Sequence, residues 1–227
     1  MIEERLDVLK KTRRVLVKVG SGVLTKNGGI DGKIIANLAQ EIARLSAEGL
    51  QFVIVSSGAI ASGSNRLGTK GPLKSLPQKQ AAAAVGQGLL MEVYSKAFGK
   101  HGLVVAQMLL TMSDLDDRKR YLNTRNTLSA LMEWKVIPII NENDTVSVEE
   151  IKFGDNDTLA SMMANIMEAN LLINLTNTEG LYDRNPRSSS GKAQFIPLVK
   201  EITDEIESFT SSETDTVGTG GMKSKVM

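Results

Sequence analysis

The sequence predicts an α/β fold in which helices cover both faces of a mainly parallel sheet, a three-layer αβα sandwich. Short apolar runs alternate with segments of helical periodicity five times along the chain. Such alternation indicates βαβ units, whose strands run parallel. In addition, each apolar run leads into glycine or polar residues. The carboxyl ends of parallel strands share one edge of the sheet, where such folds bind their ligands.

The individual elements follow from apolar spacing and from helix signals. Ile2, Leu6 and Leu9 lie at helical spacing among charges, which predicts a short amphipathic helix. Asp31 is a predicted N-cap, and Gly49 ends the same helix. The predicted strands are 15–19, 52–55, 103–110, 136–140 and 171–175; the predicted helices are 1–14, 31–48, a run of small residues after 58, 78–100, 118–134, 158–168 and 201–209. Residues 68–77 are predicted to form a loop, and 145–153 a small hairpin.

Helical spacing also indicates core side chains in the second half of the chain. In the helix predicted at 118–134, the core candidates are Leu122, Leu128, Leu131 and Met132. The methionines at 132, 162, 163 and 167 have helical spacings, and we interpret them as core filler rather than as a cofactor site.

Composition excludes several classes of protein. A net charge of +1 over 227 residues disfavours a nucleic-acid-binding protein. The sequence has no cysteine, which excludes disulfides, iron–sulfur clusters and thiolate zinc sites and fits a reducing cytoplasm. The charged N-terminus and the absence of an apolar run of transmembrane length predict a cytoplasmic protein without a membrane partner.

The single histidine limits the catalytic options. His101 lies in a Gly-rich turn just before the third predicted strand, at that strand's N-terminal end. Ligands of parallel sheets bind at the opposite end of the strands. We therefore interpret His101 as a turn residue and not as the base of a catalytic triad.

A polar stretch over residues 141–160 organises the predicted site. Clusters of carboxylates and amides at 141–144 and 155–157 flank the predicted hairpin. Together they offer many donors and acceptors to a small polar ligand. The alternative interpretation is ordinary turn and N-cap chemistry, for which Asn and Asp are common.

Two basic, glycine-rich segments indicate anion binding. Lys18 interrupts an apolar strand just before Gly20 and Gly22, and a buried ammonium requires an anion. Residues 218–225 combine three glycines with two lysines, although without the spacing of a Walker A motif. The alternatives are a lysine that snorkels from a strand end and a flexible linker. Together with the polar cluster, the two segments suggest phosphoryl transfer to a small acceptor. If that acceptor is a carboxylate, it is already ionised at neutral pH, and the reaction needs no general base.

Five segments resemble motifs of the amino acid kinase family, specifically of its glutamate 5-kinases: 17–24 (VKVGSGVL), 55–60 (VSSGAI), 141–144 (NEND), 154–157 (GDND) and 218–225 (GTGGMKSK). The resemblance extends over nearly the whole chain and implies the amino acid kinase fold for a domain at 1–227. It implies transfer of the ATP γ-phosphate to the side-chain carboxylate of L-glutamate, giving L-glutamyl 5-phosphate, the first step of proline synthesis. It further implies that the chain stops short of the family's complete domain.

The resemblance also assigns residues. It implies glutamate binding by Ser57, Gly58, Asn141, Asp144 and Asn156. Lys18 and Lys225 would stabilise the transferring phosphoryl group, and Asp157 would organise the two lysines. The implied ATP site contains Lys18, Gly20, Thr176, Asn177, Thr219, Gly220, Gly221, Met222, Lys223, Ser224 and Lys225. Mg²⁺ would arrive with ATP and has no assigned protein ligand; feedback inhibition by proline and a homo-oligomer are family expectations.

One departure and two alternatives remain. Asn177 stands where the family often has Asp. The chain could instead phosphorylate another amino-acid carboxylate, that of N-acetylglutamate or aspartate, but Asp144 favours an acceptor with a free amine. A non-catalytic amino-acid sensor of the same fold is the other alternative, and the presence of both Lys18 and Lys225 argues against it.

Overall fold

The structure is a computed structural model that describes residues 2–26, 28–147, 156–186, 193–210 and 222–226. In chain order the strands are β1 (Arg14–Val19), β2 (Thr25–Lys26), β3 (Gly29–Ile30), β4 (Gln51–Ser56), β5 (Val105–Leu110), β6 (Ile137–Glu142), β7 (Leu171–Leu175), β8 (Leu181–Tyr182) and β9 (Phe195–Ile196). The helices are α1 (Ile2–Lys11), α2 (Ser21–Leu24), α3 (Gly32–Ala47), α4 (Ala59–Arg66), α5 (Leu76–Gly99), α6 (Met112–Asp116), α7 (Arg118–Glu133), α8 (Asn156–Ile166), α9 (Asp204–Ser208) and α10 (Met222–Val226).

Five of these strands form a parallel sheet in the order β5-β6-β4-β1-β7. The central strand β1 pairs with β4 and β7, so that Lys18 stands beside Val55 on one side and Asn174 on the other. Because all five strands point the same way, their carboxyl ends lie at one edge of the sheet. This confirms the predicted parallel sheet.

The sheet separates two apolar clusters. Val15, Val17 and Val19 pack with side chains of α3 and α5 on one face. Leu16 packs with side chains of α7 and α8 on the other face. Since side chains alternate along a strand, Lys18 lies on the same face as Leu16 and is directed towards α8.

Helices α4 and α5 cross unusually closely because two glycines face each other. A Cβ on Gly63 would lie 1.7 Å from the carbonyl oxygen of Ala82, and a Cβ on Gly86 would lie 1.8 Å from that of Ala59. A Cβ on Gly88, one residue beyond Gln87 in the same helix, would meet nothing within 4 Å. Only glycine at 63 and 86 therefore permits this packing, which places Gln87 near the sheet.

Most predicted elements are present, with shifted ends. The helix predicted at 158–168 begins earlier, at Asn156, so that Asn156 and Asp157 form its first turn. Asp31 caps α3 by accepting a hydrogen bond from the Lys33 amide, as predicted. Residues 144–146 form a turn, and 145–147 contain no strand; the remainder of the predicted hairpin lies outside the described residues. The turn assignment of His101 is confirmed.

One predicted core residue is wrong. Leu122 is 41% exposed, whereas Leu128 and Met132 are buried. The buried face of α7 runs through Thr124, Leu128 and Met132 at intervals of four residues. Leu122 lies about 120° around the helix from Leu128 at the usual rotation per residue, and it therefore points away from the sheet. Of the methionines predicted as core filler, those at 132, 163 and 167 are buried, and Met162 is partly buried against the same apolar cluster.

The amphipathic helix α1 leaves at least two of its predicted apolar side chains partly exposed. Leu6 and Leu9 of α1 are each about half exposed, at 47% and 53%. Within the described ranges, no helix combines the length with the apolar character that crossing a bilayer requires.

Candidate active site

A buried ion pair joins β1 to the first turn of α8. Lys18 is 4% exposed and Asp157 is 3% exposed, and the Lys18 ammonium pairs with Asp157 Oδ1. The alternation along β1 directs Lys18 to this face, and the start of α8 beyond residue 155 brings the carboxylate to it. Lys18 is therefore not a snorkelling strand-end lysine, because its charged end lies inside the fold.

The same carboxylate also binds the last described helix. Lys225 Nζ lies 3.0 Å from Asp157 Oδ2, and the Ser224 hydroxyl donates to that oxygen at 2.8 Å. Asp157 thus holds one lysine on each of its two oxygens. Removing one partner of such a buried pair is costly, since it leaves the remaining charge desolvated. The predicted arrangement of Asp157 between the two lysines agrees with this geometry.

Asn174 extends this cluster, and the sequence reasoning missed it. Its amide Nδ2 donates to Asp157 Oδ1 at 3.3 Å, from the strand position beside Lys18. Its Oδ1 is buried and has no hydrogen-bond partner in the described part of the chain. The available signal was an amide within the apolar run 171–175, which interrupts its strand as Lys18 interrupts β1.

An amide cluster adjoins the lysines because Asn156 precedes Asp157. Asn156 Nδ2 shares its two hydrogens among three acceptors, the carbonyl oxygen of Ser56 at 2.9 Å, Ser57 Oγ at 3.1 Å and Asn141 Oδ1 at 2.9 Å. Ser56 and Ser57 follow β4, while Asn141 lies near the end of β6. Three predicted substrate-binding residues, Ser57, Asn141 and Asn156, therefore meet at the carboxyl edge of the sheet.

Three further hydrogen bonds support the amide cluster from α5 and the sheet. Asn141 Nδ2 donates to Gln87 Oε1 at 2.9 Å, and Gln87 Nε2 donates to Gln107 Oε1 at 3.1 Å. The buried Tyr94 hydroxyl donates to Ser56 Oγ at 3.0 Å, and burial raises the pKa of this phenol, so Tyr94 stays neutral. Gln87 was not predicted; the signal was a polar side chain on the buried face of α5 between two glycines.

The remaining predicted substrate residues, Gly58 and Asp144, lie in the loops that follow β4 and β6. Gly58 has φ of +103°, a left-handed conformation that glycine adopts without strain, and it precedes α4. Burial raises the pKa of Asp144 to about 6. Asp144 has no ion pair among the described residues, so no protein cation there offsets that burial.

The predicted nucleotide residues fall into two groups. The Gly20 amide donates to the Leu175 carbonyl oxygen at 3.2 Å, and a Cβ on Gly22 would lie 3.5 Å from Asn177 Nδ2, so the loop after β1 adjoins the loop after β7. The Thr176 hydroxyl lies 3.5 Å from Asn177 Oδ1, to which it donates. Met222, Ser224 and Lys225 belong to α10. Thr219, Gly220, Gly221 and the side chain of Lys223 lie outside the described residues.

No metal centre is evident from the described side chains. In the ranges that the structure describes, no three His, Asp or Glu side chains come together as metal ligands. The charged centre of the site consists of Lys18, Lys225 and Asp157, which is suited to binding an anion.

Known proteins resemble the chain over almost its full length. A glutamate 5-kinase of Syntrophus aciditrophicus is 64% identical over 227 residues, which are 100% of this chain and 59% of that protein. Glutamate 5-kinases of Geobacter sulfurreducens and Maridesulfovibrio salexigens are 50% and 47% identical over 98% and 99% of the chain. The chain spans about three fifths of the length of these relatives. The amino acid kinase family profile matches residues 13–227, and the chain therefore belongs to the amino acid kinase family.

Proposed function

We propose that the protein transfers the γ-phosphate of ATP to the side-chain carboxylate of L-glutamate, giving L-glutamyl 5-phosphate. One observation carries this proposal: Asp157 holds Lys18 and Lys225 on its two oxygens, directly beside the amide cluster of Asn156 and Asn141. A phosphoryl-transfer site and a site for a small polar acceptor therefore share consecutive residues of one helix. The names of the relatives support glutamate as the acceptor and hence a role in proline biosynthesis.

The reaction needs positioning and charge neutralisation more than proton transfer. An oxygen of the substrate carboxylate attacks the γ-phosphorus, and the bond from that phosphorus to the β-phosphate oxygen breaks, which releases ADP. The attacking carboxylate is ionised at neutral pH, so no protein base removes a proton. Lys18 and Lys225 neutralise the transferring phosphoryl group, and Asp157 fixes where their ammonium groups lie.

Amide and hydroxyl groups hold the acceptor. Ser57, Asn141 and Asn156 form one hydrogen-bonded cluster, and Gly58 turns the chain beside it. Asp144 pairs with the ammonium of glutamate in this proposal. Its raised pKa supports that role, because a carboxylate without a cationic partner gains most from a cation supplied by the ligand.

ATP binds on the side of the lysines. The loops with Gly20 and with Thr176 and Asn177 adjoin each other there, and α10 contributes Met222 to Lys225. We also assign residues 219–221 to the nucleotide on the family resemblance. Mg²⁺ commonly binds through substrate phosphates and retained waters, so we expect it to arrive with ATP, and we assign it no particular protein ligand.

Several finer assignments stay predictions. These are a domain at 1–227, a cytoplasmic location, a homo-oligomer, feedback inhibition by proline and the lack of a nucleic-acid or membrane partner. Kinases of N-acetylglutamate or aspartate remain the nearest alternatives. Asp144 favours a free amine, which an acylated substrate lacks.

Substrate comparison tests the proposal. The full-length protein is incubated with MgATP, hydroxylamine and either L-glutamate, L-aspartate or N-acetylglutamate, and both ADP and the hydroxamate are measured. We expect glutamyl hydroxamate to form fastest and in step with ADP, and Lys225→Ala to abolish most of it. Equal or faster turnover of N-acetylglutamate would overturn the assignment of glutamate. ADP release without any hydroxamate would overturn carboxylate phosphorylation.

A further inference from the structure

A chain of four amide side chains connects the candidate substrate site to the edge of the sheet. Asn156 donates to Asn141, Asn141 donates to Gln87 and Gln87 donates to Gln107, at 2.9, 2.9 and 3.1 Å. Asn156, Asn141 and Gln87 are buried, and Gln107 on the edge strand β5 is exposed. We propose that Gln87 is a positioning residue for substrate binding, which fixes the orientation of the Asn141 amide. This inference rests on the proposed function.

The donors and acceptors along this chain permit only one orientation of the Asn141 amide group. Its Oδ1 accepts from Asn156, and its Nδ2 donates to Gln87 Oε1. Rotating the Asn141 amide by half a turn would set an oxygen against an oxygen and an N–H against an N–H. An amide nitrogen carries two hydrogens, so Nδ2 keeps a second N–H that has no partner among the described residues. That N–H is available to an acceptor such as a carboxylate of the amino acid.

Gln87 holds the nitrogen end of this orientation, because it is the only partner of Asn141 Nδ2 in the described part of the chain. Without the Gln87 oxygen, only the hydrogen bond from Asn156 to Oδ1 would hold the Asn141 amide, and its nitrogen would be held less firmly towards α5. A buried polar group that loses its partner costs more than the hydrogen bond itself contributed. The Asn141 amide would then tilt or shift about its remaining contact with Asn156, and the N–H offered to the substrate would be displaced.

The backbone supports this role independently. Gly86 allows α5 to approach α4 so closely that a Cβ there would overlap the Ala59 carbonyl oxygen at 1.8 Å. Gln87 is the next residue, and its side chain reaches Asn141 from that position. The close crossing of α4 and α5 therefore places the Gln87 side chain at the position where it joins the amide chain.

Three variants of the full-length protein test the proposal. Gln87→Met keeps the length of the side chain and removes both polar atoms. Gln87→Glu keeps an oxygen for Asn141. Gln107→Met is the matched control, because it makes the same change at the exposed end, where water can replace the lost acceptor. The KM for glutamate, the KM for ATP, kcat and the melting temperature are measured for each.

We expect Gln87→Met to raise the KM for glutamate about tenfold while the KM for ATP and kcat change less than about twofold, the loss expected for one well-placed hydrogen bond. Gln87→Glu should recover most of that loss, and Gln107→Met should stay within about twofold of the unchanged protein. An unchanged glutamate KM in Gln87→Met would overturn the proposal. Equal effects of Gln87→Met and Gln87→Glu would do so as well.

A second readout separates this inference from the proposed function. Side-chain amide ¹⁵N–¹H resonances of Asn141 report its hydrogen bond to Gln87 without any substrate. We expect the Asn141 amide protons to exchange slowly in the unchanged protein and in Gln87→Glu, and rapidly in Gln87→Met. Equal exchange in all three proteins would overturn the positioning role. A protein that does not use glutamate, yet shows the expected exchange, would instead overturn the proposed function.

Discussion

Replacing Gly86 with alanine tests the close crossing of α4 and α5. The added Cβ would lie 1.8 Å from the Ala59 carbonyl oxygen and 2.5 Å from the Gly63 amide nitrogen. Both obstacles are backbone atoms, which cannot rotate away as a side chain can. Ordinary contact would require the two helices to separate by about 1.5 Å.

The expected change in the free energy of unfolding is the balance of two opposing effects. Alanine favours a helix over glycine by about 1 kcal/mol. Overpacking costs about 1–3 kcal/mol, occasionally more, and a clash with backbone on a fully packed face belongs at the upper end. We expect Gly86→Ala to lower the free energy of unfolding by about 2 kcal/mol. Gly88→Ala, the matched control in the same helix, should raise it by about 0.5–1 kcal/mol because its Cβ meets nothing within 4 Å.

Urea unfolding of both variants, followed by far-UV circular dichroism, measures the two free energies against the unchanged protein. Opposite signs for Gly86→Ala and Gly88→Ala support the geometry. A Gly86→Ala variant as stable as Gly88→Ala would refute the close crossing and, with it, the placement of Gln87.

Three further predictions concern the site. Lys225→Ala should lower kcat and kcat/KM together by at least about a hundredfold, because its contact strengthens in the transition state, while glutamate binding measured calorimetrically changes little. The KM for glutamate should rise as the pH falls below about 6, where Asp144 takes up a proton and loses the charge that pairs with the ammonium. Asp144→Asn should raise that KM at neutral pH and remove this pH dependence. A pH dependence that persists in Asp144→Asn would contradict the pairing of Asp144 with the ammonium. Asn174→Leu should lower kcat several-fold without lowering the melting temperature, since it removes a hydrogen bond to Asp157 and also a buried oxygen that has no partner among the described residues. Unchanged kcat would mean that Asn174 does not orient Asp157.

Much of the sheet and of its ligand-binding edge follows from sequence patterns. Apolar runs that end in glycine or polar residues predicted the five strands, and their parallel order brings the polar ends together. The alternation along β1 also explains the face on which Lys18 lies, because Leu16 on that face packs with α7 and α8. The pairing of Lys18 and Lys225 through Asp157 depended on the family resemblance, since no local pattern relates residues so distant in sequence.

The missed features depend on contacts between distant elements. Leu122 has the spacing of a core residue, but the direction in which α7 packs exposes it. Gly86 and Gly88 are equivalent in the sequence, both being glycines in the interior of α5, and only the approach of α4 distinguishes them. Gln87 and Asn174 are single polar residues in apolar segments, and their roles require knowing which side chains from other elements face them.

The central claim is that a side-chain carboxylate oxygen of glutamate attacks the γ-phosphorus of ATP. Glutamate labelled with ¹⁸O in its side-chain carboxylate tests this most directly when the full-length protein is given MgATP and hydroxylamine. Hydroxylamine attacks the acyl carbon of the product and releases phosphate with the oxygen that had attacked phosphorus. We predict that this phosphate contains one ¹⁸O, visible as an isotope shift in its ³¹P resonance. Unlabelled phosphate would show that water attacks the γ-phosphorus, and it would contradict the account.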